Sequence, residues 1–325
     1  MGSNGKVCYV VYVPESEEAQ HFLNNKKGAY IRTDEFSGKY EPRLATADEL
    51  LHLFDRRRLA VEQRQSLIRR AAERFEQYAA REYTTAAVSA LRERTGPVGA
   101  RMQLAIVPRF PVAPLCEPAR AVQIVRNTHI DWRRGPFPAG SSPISQHESA
   151  LLTETGGDFS LLEVNTWGLV SYAGEIQRFW TPPGGGREIE IHLHSLLGQV
   201  LAIMEYARTI YELLGYDGTL EVIASMTRVR GVPLVHYPHD FREVIASSRF
   251  DDDVGFSFSV STERLRVERD LIATELIHTV LFSLGWTAAA KGDADASVTA
   301  GLLRAAYTYN SWGSPASRSR DGADA

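Results

Sequence analysis

The sequence contains few cysteines and no long apolar run. Only Cys8 and Cys116 occur among 325 residues. Two isolated cysteines exclude a disulfide framework and a zinc site built from thiolates, and they suit a reducing compartment. No apolar run approaches the roughly 18 residues that cross a bilayer, and no basic region followed by an apolar core stands at the N-terminus. We therefore expect a soluble, cytoplasmic protein with no membrane partner.

The short motifs of several large enzyme classes are also missing. The sequence has no GxxxxGK[ST] phosphate loop, no GxGxxG after a strand, no GxSxG turn and no HExxH helix. These absences remove the local signatures of P-loop NTPases, dehydrogenases, α/β-hydrolases and zincins. The triple glycine Gly184–Gly186 is followed by no lysine and indicates a flexible loop. No complete catalytic constellation is present, so the residues leave open whether the chain is an enzyme.

Histidines occur in two short clusters that lack the spacing of a metal site. His192 and His194 alternate in one segment, and His236 and His239 flank a Tyr-Pro pair in another. These arrangements carry no fixed ligand geometry, although the two clusters could combine if the fold brought them together. We interpret them as surface-loop histidines and predict no metal.

Charge is distributed unevenly along the chain. The sequence has 36 Lys and Arg against 40 Asp and Glu, a formal net charge of −4, which is not the basic balance of a dedicated nucleic-acid binder. Between residues 26 and 81, however, thirteen basic residues stand against nine acidic ones, a local net charge of +4. Arginine binds phosphate through a planar fork, so this stretch is a candidate polyanion-binding surface, and a solvated helix face is the alternative. The candidate phosphate-binding residues are Lys26, Lys27, Arg32, Arg56, Arg57 and Arg58.

Apolar patterning predicts both helices and strands. The capping-box residues Thr46 and Glu49 start a long amphipathic helix, which Gly96-Pro97 ends. The predicted strands lie at Met102–Val107, at TLEVIASMTRV, at GFSFSVST and at three places between residues 149 and 177, where tight turns join an antiparallel meander. Two further helices are predicted over residues 188–214 and over VERDLIATELIHTVLFSLGW. Together these elements predict an α+β fold in which helices pack on an antiparallel sheet.

The pattern also predicts which faces are buried. The apolar residues of the meander that we expect to pack against the helix at residues 188–214 are Leu151, Leu161, Val164 and Val170. The last helix is apolar nearly all round and is expected to be buried. Residues 7–34 are expected to form two adjacent strands with one unfilled edge, through which copies of the chain could associate into a homo-oligomer.

The N-terminal part resembles a known family. The order VVYVPES, a spacer with His21, GAYIRTD and ATADELLHLFDRRR is similar to the closing half of the Schlafen/AlbA-type domain of bacterial DNA-binding or ATP-binding proteins. In that family a strand ends in a V-P-x-S-like turn, and a loop histidine, a Y-x-R strand and a helix ending in a double arginine follow. The residues that match are Pro14–Ser16, His21, Tyr30–Arg32 and Glu49–Arg57.

The resemblance implies a division of the chain. Residues 1–58 would form a partial Schlafen/AlbA-type module and residues 59–96 a helical connector. Residues 97–310 would form an α+β accessory domain, followed by a disordered tail at 311–325. The first half of the family domain has no counterpart here, so we expect a protein truncated at its N-terminus inside that domain, which would leave the module inactive. For the same reason no catalytic residue is transferred from the family.

Two functions follow as hypotheses. The first is a nucleic-acid or nucleotide (polyanion) binding protein of regulatory or defence type, for which the resemblance implies ATP as the candidate cofactor. The second is a small-ligand-binding or hydrolytic domain in residues 97–310. Added salt distinguishes them, because phosphate contacts release counterions and weaken steeply with salt, whereas binding in a small-molecule pocket does not.

Overall fold

The structure is a computed structural model that describes residues 30–32, 42–84, 99–132, 135–138, 144–154, 160–180, 185, 188–236, 242–247 and 252–285. The helices are α1 (Ala47–Thr84), α2 (Pro118–Asn127), α3 (Leu193–Leu214), α4 (Thr262–Val267) and α5 (Arg269–Ser283). The strands are β1 (Tyr30–Arg32), β2 (Pro42–Leu44), β3 (Arg101–Pro108), β4 (Ile130–Trp132), β5 (Gly135–Phe137), β6 (Ile144–His147), β7 (Ala150–Glu154), β8 (Leu161–Asn165), β9 (Val170–Glu175), β10 (Gln177–Trp180), β11 (Glu188–His192), β12 (Thr219–Thr227), β13 (Pro233–His236), β14 (Glu243–Ser247) and β15 (Val254–Ser261).

A seven-stranded sheet forms the centre of the described structure. Its strand order is β15-β12-β3-β9-β8-β7-β6, and every neighbouring pair is antiparallel. β3 is buried at nearly every position, as expected of a central strand covered on both faces, whereas β12 alternates buried and half-buried residues. Helices packed on this antiparallel sheet confirm the α+β fold. β3, β12, β15 and the meander β7-β8-β9 confirm the predicted strands.

One face of the sheet is covered by α2, α3, α4 and α5. Alternate residues of β3, among them Leu104 and Ile106, share a single buried cluster with these helices. α3 contributes the largest number of residues to that cluster. The hydroxyl group of Tyr211 on α3 donates to the carbonyl oxygens of Ile106 and Gly168, at 2.9 Å and 2.8 Å, so it ties α3 to the sheet.

The long helix α1 covers the opposite face. Leu67 and Ala71 pack against β3, and Phe75 packs against β8 and β9. The predicted capping box begins the helix: the backbone N–H of Thr46 donates to Glu49 Oε2 at 2.8 Å, and the N–H of Glu49 donates to Thr46 Oγ1 at 3.4 Å. α1 is continuous across residues 58 and 59, the predicted boundary between the N-terminal module and the helical connector.

Leu161 departs from the predicted packing. Leu151, Val164 and Val170 lie in the cluster beneath α3 as predicted, but Leu161 packs against Phe75 of α1 on the other face. Side chains alternate across a strand, so two residues three positions apart in β8 point to opposite faces. The prediction placed Leu161 and Val164 on one face and was wrong for Leu161.

The helix predicted from Glu188 begins later, at Leu193. Residues 188–192 read EIEIH, whose period of two is that of a strand, and they form β11. β11 belongs to a second sheet of order β10-β11-β13-β14, in which β11 and β13 are parallel. Because β11 and β13 are parallel, their C-terminal residues His192 and His236 lie at the same end of this sheet, where α3 begins.

α5 is buried on one side only. Ile272, Leu276 and Val280 are buried against the helical layer, whereas Leu271 and Phe282 are 52% and 63% exposed. The prediction of a wholly buried helix was wrong, because among the described residues α5 lies on the outside of this layer, beside α3 and β15.

Several predictions concern residues that the structure does not describe. Of the N-terminal strands, β1 is described and pairs antiparallel with β2, while the strand predicted at residues 7–13 and its unfilled edge lie outside the described residues. The predicted tail at 311–325 also lies outside them. No helix in the described ranges has the length and apolar character needed to cross a membrane.

Candidate functional site

The predicted phosphate-binding residues are described in part. Lys26 and Lys27 lie outside the described residues, and Arg32 ends β1 with its side chain also outside them. Arg56, Arg57 and Arg58 lie near the N-terminal end of α1. They come just before Ala60, which is the first buried residue of that helix. The described part of the candidate site is therefore this turn of α1 and whatever packs beside it.

Arg57 and Arg109 meet at one aromatic ring. The guanidinium carbon of Arg57 lies 5.3 Å from the centroid of the Phe110 ring, and that of Arg109 lies 5.4 Å from the same centroid. Phe110 is 4% exposed, so the ring is a fixed support for both groups. The fold thus brings α1 and the segment after β3 together at two cationic side chains. We call Arg57, Arg109 and Phe110 the arginine cluster.

The three consecutive arginines differ in their surroundings. Arg58 lies 3.4 Å from Asp55 and 3.0 Å from Glu62, so two acidic groups on its own helix compensate its charge. Arg56 is half-buried. Arg57 is exposed and makes no ion pair with any residue that the structure describes. The charge of Arg57 is therefore not compensated by an acidic group in the described part of the chain.

Arg64 fixes the segment that carries Arg109. Its Nη1 donates to the carbonyl oxygen of Arg109 at 2.9 Å and lies 3.7 Å from Glu221 Oε2 on β12. The side chains of Arg64 and Glu221 are 17% and 14% exposed, so this contact is partly buried and less screened than a surface pair. The backbone N–H of Arg109 also donates to the carbonyl oxygen of Thr219 at 2.8 Å. These contacts hold the backbone of Arg109 in position.

Sequence reasoning did not identify Arg109. The residue lies between two prolines in IVPRFP, directly after the buried strand β3. An arginine fixed between prolines at the end of a buried strand is a usable signal for a positioned surface cation, because proline restricts the backbone on both sides. Its contact with the α1 arginines depends on packing over 52 residues of sequence and is not encoded locally.

A second group of ionisable side chains lies where β11 and β13 end. Glu190 is fully buried; its Oε1 lies 2.7 Å from His192 Nε2, and its Oε2 accepts from Arg242 Nε at 2.8 Å. The rings of His194 and His236 have their centroids 4.7 Å apart. The interpretation of these histidines as separate surface-loop residues was wrong for the described ones, because three of them converge. We call these five residues the histidine cluster.

The histidine cluster has two chemical properties of note. Burial, together with the smaller effects of the neighbouring His236 and His192, lowers the pKa of His194 to about 4, so His194 is neutral at neutral pH. The Glu190 carboxylate fixes the ring orientation of His192, as a carboxylate does in sites of general acid and base catalysis. Among the described residues no group of three or more His, Cys, Asp or Glu has the geometry to hold a metal ion.

Two remaining features do not form a site with either cluster. A cleft of about 290 Å³ lies between the end of α3 and α4, but Arg208 and Arg266 in its wall are ion-paired with acidic residues of their own helices. Cys116 is half-buried, and burial raises the pKa of its thiol, which disfavours a thiolate nucleophile.

Comparison with known proteins does not decide between the arginine cluster and the histidine cluster as the functional site. No protein-family model, curated protein or solved structure matches this chain.

Proposed function

We propose that this chain binds nucleic acid or nucleotide phosphate through the arginine cluster, as a cytoplasmic protein of regulatory or defence type. The observation that carries the proposal is the convergence of Arg57 and Arg109, from separate parts of the chain, on the ring of Phe110. Each guanidinium group places a positive charge beside this ring, and a phosphate that reaches either group is attracted to that charge. Phosphate suits this arrangement because the guanidinium fork binds two of its oxygens at once.

Preorganisation supports the same function. The buried Phe110 ring limits the positions of both guanidinium groups, and Arg64 holds the backbone of Arg109. Side chains that are already ordered lose less conformational entropy when a ligand binds. A phosphate group arriving at the arginine cluster therefore gains more net affinity than it would at mobile surface lysines.

The other predicted residues extend the proposal. Arg56 and Arg58 flank Arg57 on α1, and Lys26, Lys27 and Arg32 are proposed to contact further phosphates of the same polyanion. The partner is nucleic acid, or a nucleotide for which ATP is the candidate. Self-association through the edge of the N-terminal strands stays a separate proposal.

The test compares two neighbouring arginines. Binding of fluorescently labelled single-stranded and double-stranded oligonucleotides is measured by anisotropy over a series of salt concentrations. Arg57→Ala should weaken binding and lower the slope of log K against log salt by about 0.7 to 0.9, the value of one phosphate contact. Arg58→Ala is the matched control and should have the smaller effect, because Asp55 and Glu62 already compensate that charge.

Folding and ligand class need their own controls. Each variant should keep the thermal unfolding midpoint of the parent protein, since both side chains are exposed. Competition by ATP is compared with competition by inorganic triphosphate at the same ionic strength. A nucleotide site prefers ATP to triphosphate, whereas a site that contacts only the phosphates of a nucleic acid does not distinguish them. The proposal is refuted if the parent protein binds neither ligand, or if Arg57→Ala keeps both the affinity and the salt slope.

One observation favours the alternative of a ligand-binding or hydrolytic domain in residues 97–310. His192 is oriented by the fully buried Glu190, which also accepts from Arg242. Under this alternative the protein hydrolyses p-nitrophenyl acetate or bis-p-nitrophenyl phosphate, and His192→Gln abolishes the activity with little dependence on salt. Absence of hydrolysis by the parent protein, or an unchanged rate in His192→Gln, argues against it.

A further inference from the structure

β15 lies at the edge of the seven-stranded sheet. In the described part of the chain it pairs with β12 alone, through eight consecutive residue pairs from Thr219–Ser261 to Met226–Val254. The register contains no shift, so the strand is regular along its whole length. Its outer side presents a row of backbone N–H and C=O groups that a further strand can pair with.

This edge lacks the features by which edge strands avoid pairing. Natural edges are usually short, bulged, or occupied by charged residues or proline. Val254–Ser261 is eight residues long, has the sequence VGFSFSVS and contains neither a charge nor a proline. The opposite edge strand, β6, is only four residues long and has exposed polar side chains. Among the described residues, β15 is therefore the edge of this sheet that is open to a partner strand.

The sequence of β15 is symmetric about Ser257. Reading outward in both directions gives Ser257, then Phe256 and Phe258, then Gly255 and Ser259, then Val254 and Val260. In an antiparallel pair of identical strands centred on Ser257, each Phe faces a Phe, each Val faces a Val, and Ser257 faces its own copy. Cross-strand pairs of aromatic or β-branched residues are among the more favourable ones.

We propose that a second copy of this chain pairs with β15 in antiparallel fashion about a two-fold axis at Ser257, so that the two sheets become continuous. This isologous contact uses the same residues on both copies, as a two-fold interface requires. The proposal is independent of the phosphate-binding function, because none of the arginine cluster lies in β15.

The cross-strand pairs favour this register over its neighbours. With the axis at Ser257, Asp253 faces Ser261, the last residue of β15 in the second copy. Moving the axis to Phe258 would place Phe256 opposite Val260 and would leave Val254 opposite Thr262, which already belongs to α4. Moving it to Phe256 would place Asp252 opposite Val260, so a charge would lie against an apolar side chain that is 3% exposed.

Phe256 and Phe258 give the contact an apolar component. Both are half-buried and pack against the main core, so their remaining exposed surface lies at the edge of that core. α5 packs beside β15 and keeps Leu271 and Phe282 more than half exposed. Edge pairing brings the helical layers of the two copies together on this side, which adds apolar burial to the backbone hydrogen bonds.

The first test measures the mass of the full-length protein in solution by sedimentation equilibrium. We expect a concentration-dependent dimer for the parent protein. Ser257→Lys should reduce the observed mass to that of the monomer, because two lysines would face each other across the axis while the exposed side chain at 257 leaves the monomer fold intact. Ser145→Lys, on the exposed part of the other edge strand β6, is the matched control and should stay dimeric.

The second test examines the register by disulfide formation in a background with Cys8→Ser and Cys116→Ser. Opposed residues of an antiparallel pair have Cα atoms about 4.5 to 5.5 Å apart, within the range of a disulfide. Ser257→Cys should therefore form a covalent dimer under mild oxidation. Ser259→Cys should not, because four residues of strand, about 13 Å, separate it from its own copy.

The possible results divide clearly. A parent dimer that Ser257→Lys dissociates, together with cross-linking at 257 and not at 259, supports the proposal. A monomeric parent protein, a dimer that persists in Ser257→Lys, or equal cross-linking at both positions overturns it. Circular dichroism of Ser257→Lys checks that the monomer is folded. If that variant is unfolded, the two cysteine variants decide the question, because a change from Ser to Cys only replaces an oxygen atom with sulfur.

Discussion

The guanidinium group of Arg74 on α1 forms a two-point contact with the carboxylate of Glu163 on β8. Arg74 Nε donates to Glu163 Oε2 at 2.9 Å, and Arg74 Nη2 donates to Oε1. The side chains are 12% and 3% exposed, so the pair is buried between the helix and the sheet. Burial raises the pKa of Glu163 even though the Arg74 hydrogen bonds and charge lower it. The charged form of the buried Glu163 carboxylate is therefore stabilised by Arg74.

Removing Arg74 alone should destabilise the protein strongly. Arg74→Met is expected to lower the free energy of unfolding by about 3 to 5 kcal/mol, because Glu163 is left buried without its partner. The measurement is chemical denaturation followed by circular dichroism. Arg69→Met is the control: Arg69 pairs with Glu73 on the exposed side of α1, and its loss should cost at most about 1 kcal/mol. Equal losses in the two variants would show that the buried pair has no special role.

The core position of Leu197 gives a second prediction. Leu197 on α3 has no exposed surface and lies in the main buried cluster. Leu197→Ala should lower the free energy of unfolding by about 2 to 5 kcal/mol, the cost of lost burial plus a cavity. Leu213 on the same helix is 46% exposed, and Leu213→Ala should cost clearly less. Denaturant titration of both variants compares them directly, and a similar cost at 213 would contradict the assignment of the buried face.

Glu175 should make stability depend on pH. Burial raises the pKa of its carboxyl to about 7, although the charge of Arg228 and hydrogen bonds from Gly99 and Gln177 act to lower it. The unfolded chain releases this proton near pH 4.5, so the folded state holds the extra proton between about 4.5 and 7. The stabilisation of the folded state by this extra proton is fully present below pH 4.5 and is lost as the pH rises through 7.

The variant Glu175→Gln isolates this effect. Its stability relative to the parent should rise between pH 4.5 and pH 8, because the amide has no proton to release. Urea denaturation at several pH values gives the difference. A difference that stays constant with pH would mean that Glu175 titrates alike in the folded and unfolded states.

Gly168 occupies a turn where only glycine fits. Its φ is +86°, and a Cβ built there would lie 2.6 Å from Leu115 Cδ1 and 3.0 Å from Pro108 Cγ. Gly231 has φ +74° but no atom within 4 Å of such a Cβ. Both Gly→Ala changes incur the backbone cost of roughly 1 to 2 kcal/mol, and Gly168→Ala should lose more because of the contacts. Thermal unfolding of the two variants measures the excess, and equal midpoints would show that Leu115 moves aside freely.

Elements with a clear local period could be predicted from the sequence. The alternation in GFSFSVST and TLEVIASMT predicts β15 and β12, and Thr46 with Glu49 predicts the start of α1. The alternation in EIEIH also indicates the strand β11. The prediction instead joined these residues to the apolar run that follows, so the predicted helix began five residues too early. Local pattern was sufficient wherever one period was followed consistently.

The candidate site depends on contacts that no local pattern encodes. Arg57 was predicted from its neighbours, but its position beside Arg109 arises from α1 crossing the sheet. His192 and His236 lie at the same end of the second sheet because β11 and β13 are parallel neighbours, a pairing that spans more than forty residues of sequence. Such relationships follow from topology, which periodicity alone does not determine.

The position of β3 has a consequence for how the chain folds as it is synthesised. β3 pairs with β9 on one side and with β12 on the other, and β12 ends at Thr227, more than a hundred residues after β3. The meander can therefore assemble on β3 early, while the other side of β3 waits for the ribosome to release β12. Until then an apolar strand edge stays open. We expect newly made chains to rely on chaperones during this interval, and stop codons placed before residue 219 to yield aggregating fragments.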